Sequence, residues 1–82
     1  MSVQLYQEVA LTRDMPEQGM RAGDVATFVD RVPAPDSIED GAVLEIFNAL
    51  GDSIAIVTVP ISAIAPLRAD QLPTVRVISR AA

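Results

Sequence analysis

The sequence predicts a small all-β domain, and three observations predict it. Short stretches rich in Val and Ile recur along the chain, separated by clusters of proline, glycine and acidic residues. The first stretch alternates apolar and polar residues with a period of two. No window offers the ten or more residues of 3.6 periodicity that an α-helix requires.

Each element follows from its residues. In VQLYQEVALT, Val3, Leu5, Val9 and Leu11 share one face, and Gln4, Tyr6, Glu8 and Thr12 the other, which predicts a half-buried strand. The next stretch, RDMPEQGMRAGD, holds a proline and two glycines without sustained period and reads as a long loop. VATFVDRV is a second strand, and PAPDSIEDG, with two prolines and three acids, a solvated loop. AVLEIFNA is a third strand, with Leu44 and Ile46 on one parity and Val43, Glu45 and Phe47 on the other. LGD makes a tight turn in which Gly51 takes a positive φ. SIAIVTV is the fourth and most apolar strand, expected at the centre of the sheet and ended by Pro60. ISAI fits a single helical or 3-10 turn capped by Ser62, and APL starts a short fifth strand. After a break at RADQLPT, TVRVIS (74–79) reads as an additional C-terminal strand.

That order is what a small five-stranded SH3-like barrel with one short 3-10 or helical turn looks like, and closure would remove the exposed edges of an open sheet. The expected organisation is one domain over residues 3–67 and an extension over 68–82. A chain of 82 residues buries only about 60–65% of its unfolded surface, so every strand must serve a single core.

Composition removes most chemistries. The chain has no histidine, the commonest general acid–base, and no cysteine or lysine for thiol or Schiff-base nucleophiles. Carboxylates are paired at Glu39 and Asp40, and Asp24 and Asp30 flank the second strand, but acids in loops and at strand ends read first as solvated charge. Neither a catalytic residue, a cofactor nor a metal site is expected, and the chain is read as a non-enzyme. The two glycines of DMPEQGMRAGDVATFV invite comparison with a phosphate loop. Their spacing is G-x-x-x-G, no Lys or Ser/Thr follows, the segment enters a strand, and Asp24 would repel phosphate. Geometry explains them better: Pro16 fixes a turn, Gly19 and Gly23 accept left-handed backbone, and Asp24 bonds neighbouring amides.

The net charge is −5, and all six cations are arginines. Such a surface disfavours nucleic acid and anionic lipid and speeds association with a basic protein. No basic segment followed by an apolar run starts the chain, so no signal peptide is expected. The most apolar stretch is broken by prolines and serines, so no membrane span is expected either, and the expected location is cytoplasmic.

The residues also carry a resemblance. LYQEVALTRDMPEQGMRAGDVATFVD, with AVLEIF, SIAIVTVP and IAPL after it, resembles the small bacterial family called domain of unknown function 4926. Leu5, Tyr6, Val9, Leu11, Asp14, Pro16, Gly19, Gly23 and Asp24 fall on its pattern, whereas Met20, Ala26 and Phe28 depart from it. The match runs from about Val3 to Leu67 and leaves the tail outside. The resemblance implies an SH3-like barrel akin to KOW modules and the nitrile hydratase β-subunit barrel. It also implies an immunity or antitoxin role beside a larger protein encoded nearby.

The expected function is therefore a non-catalytic protein-binding module for a larger, basic protein. Its expected surface is the first loop with the acidic starts of strands one and two: Tyr6, Glu8, Asp14, Glu17 and Asp24. The 74–79 strand could pair with a partner's edge or a second copy, giving a homo-oligomer. The alternatives are a KOW-like nucleic-acid-binding barrel and a non-catalytic accessory subunit of a larger enzyme. A stand-alone enzyme using only carboxylates comes last.

Overall fold

The computed structural model describes residues 3–34 and 38–78. It is all-β: β1 (Glu8–Leu11), β2 (Val25–Val32), β3 (Gly41–Phe47), β4 (Ser53–Pro60) and β5 (Ile64–Pro66) form one antiparallel sheet in the order β4-β3-β2-β1-β5. The only helical turns among the described residues are two 3-10 turns, Pro16–Gln18 and Ile61–Ala63. The five strands and the 3-10 turn before β5 follow one another along the chain as the sequence led one to expect. Among the described residues no ladder joins β4 to β5, so hydrogen bonding leaves the two at opposite ends of the order.

A single sheet has no second layer to cover its apolar face, so it must bury that face by curling. Its inward residues meet in one cluster. Val9 and Leu11 of β1, Ala26 and Phe28 of β2, Ala42, Leu44 and Ile46 of β3, Val59 of β4 and Ile64 of β5 all belong to it. Strands from both ends of the order thus share one core, and the first 3-10 turn approaches β4. The bends have local causes. Register slips between Phe28 and Asp30 against β3, and between Ile46 and Phe47 against β4, mark extra residues at Val29 and Ile54. Such bulges bend a strand and raise its twist.

Four expectations are corrected. β1 is four residues long, because Gln4–Gln7 form a turn in which the Gln7 amide donates to the Gln4 carbonyl at 3.2 Å. Tyr6 there has φ 67°, and Leu5 is half exposed instead of sharing the buried face of Val9 and Leu11. β4, for all its apolar residues, pairs only with β3 and stands at the end of the order. Among its apolar residues Ile56 is 66% exposed, whereas Ile54, Ala55 and Val57 are half-buried against the core and Val59 is buried within it. Ser62 does not cap the second 3-10 turn with its side chain; its amide and hydroxyl donate to the Glu39 carboxylate at 2.8 and 3.0 Å. Finally, Thr74–Ile78 form no ladder with the sheet, and Ser79, the end of the expected strand, lies outside the described residues. The segment keeps the strand's period of two in its burial, with Arg76 and Ile78 half-buried and Val75 and Val77 exposed. β-Branched residues thus produced the expected alternation without a partner strand.

Candidate functional site

The long loop between β1 and β2 is a built structure. Met15 and Met20 exchange amide–carbonyl hydrogen bonds of 2.9 and 3.1 Å, closing a six-residue hairpin around the 3-10 turn at Pro16. Pro16 starts that turn with the φ it is fixed to, and Gly19 ends it at φ 71°, where its amide reaches the Pro16 carbonyl at 3.0 Å. Both methionine side chains turn inward, Met20 to 2% exposure, and join the core. At the loop's base the Leu11 amide donates to the Asp24 carbonyl and the Gly23 amide to the Leu11 carbonyl, at 2.9 and 2.8 Å. Gly23 sits at φ 90°, as the sequence led one to expect.

Two carboxylates hold the return of the loop. Asp14 Oδ1 accepts from the Ala22 amide at 2.9 Å, and Asp24 Oδ2 from the Arg21 amide at 2.8 Å. The second Asp24 interaction reaches across the chain. Arg76 Nε donates to Asp24 Oδ1 at 2.8 Å, its Nη2 donates to Asp24 Oδ2, and the same Nη2 donates to the Gly19 carbonyl at 3.2 Å. The pair is two-pronged and its side chains are only 26% and 16% exposed. Arg76, as the hydrogen-bonded cation, holds the Asp24 carboxyl below its usual range, helped by the Arg21 amide and opposed by burial. Asp24 in turn raises the Arg76 guanidinium. Beside the pair lies an open cleft of about 310 Å³, between Asp14, Pro16, Met20 and Arg21 of the loop and Arg76 and Val77 of the tail.

Of the five expected site residues, the fold brings together three. Asp14, Glu17 and Asp24 share the loop, and Glu17, in its 3-10 turn, is exposed and makes no hydrogen bond or ion pair with the described residues. Tyr6 lies at the other end of the β1–β2 hairpin, its amide donating to the Phe28 carbonyl. Glu8 opposes Thr27, which opposes Glu45, on the outward face of the sheet. Arg76 escaped the sequence reading because nothing local tells a strand arginine from one that bonds a residue 52 positions away.

The other acids are engaged at the surface. Asp40 accepts from Arg31 at 2.7 Å and Asp70 from Arg68 at 3.0 Å, and in each the arginine's hydrogen bond lowers the carboxyl. Glu39 is lowered by the amide and hydroxyl of Ser62. Among the described residues, no group of three His, Cys, Asp or Glu side chains could hold a metal ion, and no helix is long and apolar enough to cross a membrane. No family model, curated protein or solved structure matches the chain.

Proposed function

We propose that this chain is a non-catalytic protein-binding module whose first loop docks a larger, basic protein. The observation that carries the reading is the loop's construction. The Met15–Met20 hairpin is clamped into the core by its two methionines, and it presents the unpaired Glu17 at a defined position beside Asp14. An acidic projection held by buried side chains loses little conformational freedom on docking, which favours affinity. The net charge of −5 steers a basic partner towards it.

The distribution of arginines supports a protein partner over a nucleic acid. Arg31, Arg68 and Arg76 form ion pairs with Asp40, Asp70 and Asp24, and among the described residues Arg13 and Arg21 form none, lying instead near Glu39 and Asp24 respectively. A groove that tracks phosphates needs a continuous basic strip with interleaved aromatics. An immunity or antitoxin role in the cytoplasm, as the resemblance to domain of unknown function 4926 implies, is one form of this function.

The test is a pull-down from native-host lysate with tagged wild-type and Glu17→Arg chains, followed by size-exclusion. The expected result is a partner retained by the wild type and lost with Glu17→Arg at unchanged melting temperature. Equal retention by both chains overturns the reading. Asp14 is a poorer probe, because its bond to the Ala22 amide mixes stability with binding.

A further inference from the structure

Residues 67–75 are exposed throughout, with Leu72 88% and Val75 93% accessible. Over Thr74–Ile78 the tail meets the body through two inward side chains, Arg76 on Asp24 and Ile78 against the core. Val77 between them is 92% exposed. The receiving groups also have partners within the loop and body. Asp24 is oriented by the Arg21 amide and held through its carbonyl by the Leu11 amide, and the Gly19 carbonyl is aimed by the turn that Pro16 and Gly19 close next to the buried Met20. A carboxylate and a carbonyl so placed form a fork that suits the planar guanidinium and not the point charge of an ammonium.

We propose that this fork is an arginine-recognition site for the partner, and that Arg76 occupies it in cis as a displaceable strap. The proposal rests on the protein-binding reading and specifies it: the partner presents an extended segment with an arginine followed, two residues on, by an aliphatic side chain. The tail displays that chemistry itself as Arg76-Val77-Ile78. The charge relation also agrees, since an acidic chain attracts an arginine-bearing partner, and the adjoining cleft leaves room at Asp14 and Pro16 for the flanking residues. Because the strap and the partner compete for one site, the apparent affinity is reduced by the fraction of molecules with the strap closed.

The test uses the full-length chain and a fluorescent peptide copying residues 74–79, followed by anisotropy at low salt. The Arg76→Ala chain is expected to bind the peptide at least about tenfold more tightly than the wild type. A peptide with citrulline in place of arginine, or a chain that also carries Asp24→Asn, should lose that binding. Failure of the folded Arg76→Ala chain to bind, or equal binding of the citrulline peptide, overturns the proposal. Should Arg76→Ala not fold, Arg76→Lys takes its place, and if neither folds the guanidinium is a structural group and the proposal fails. Self-association of Arg76→Asp with the wild type at rising concentration would assign the fork to the tail of a second copy, which also overturns it. An absent peptide signal beside a Glu17-dependent partner in the pull-down would reject the strap alone and leave the docking loop standing.

Discussion

Tyr6 is the one described residue other than glycine with a positive φ, at 67°. Left-handed backbone costs an L-residue about 1–2 kcal/mol, because Cβ approaches the following carbonyl. The ring is 76% exposed and so recovers little of that cost by packing. Tyr6→Gly is therefore expected to stabilise the fold by about 1 kcal/mol in urea titration. A loss of stability instead would show that the ring has a structural contact. The sequence pattern led to Tyr6 as an outward strand residue, and periodicity could not reveal the turn. Apolar alternation through Val3, Leu5, Val9 and Leu11 fits one unbroken strand equally well, and the turn is made by Gln4 and Gln7, which are not turn formers by composition. Asp24 shows the reverse case. Its bond to a neighbouring amide was legible, because a carboxylate directly after a loop glycine has an amide within local reach.

At the scale of elements, the first loop is the clearest gain over sequence reading. A stretch with a proline, two glycines and five charged residues reads as solvent-exposed, yet Met15 and Met20 make it part of the core. Met20→Ala is expected to cost about 2–4 kcal/mol in the same titration, as for other buried methionines. Glu17→Ala, three residues away and fully in solvent, should stay within about 0.5 kcal/mol of the wild type. Similar effects of the two would mean that the loop does not hold its hairpin in solution. The strands themselves were largely legible. β2 has the expected bounds, and β3 and β5 lie within two residues of theirs, because turn residues bracket each of them. The place of β4 was not legible: an apolar strand suits the centre of a flat sheet, whereas in a curled sheet an end strand can still turn Val59 into the core.

At the scale of the molecule, the Asp24–Arg76 pair ties the tail to the body, and its energetics depend on pH. The folded carboxyl lies below its usual value near 3.8, so the unfolded chain binds the proton more readily. The pair's stabilisation is therefore complete above about pH 5 and is lost as pH falls through 3.8 towards the lower folded value. Asp24→Asn should flatten the acid limb of a stability–pH profile followed by urea denaturation. An unaltered acid limb in Asp24→Asn would mean that the tail contact is not formed in solution.

The sequence by itself determined that the chain is all-β, where the loops between its strands fall, and that histidine, cysteine and lysine chemistry is unavailable to it. Those properties are local: alternation, β-branching, the φ demands of glycine and proline, and the side-chain inventory act within a few residues. Only the tertiary structure decided that the sheet ends in β4 and β5, that two loop methionines complete the core, and that Arg76 returns to Asp24. Each of these depends on curvature summed over five strands, which brings residues distant in sequence into contact and leaves no trace in any one segment.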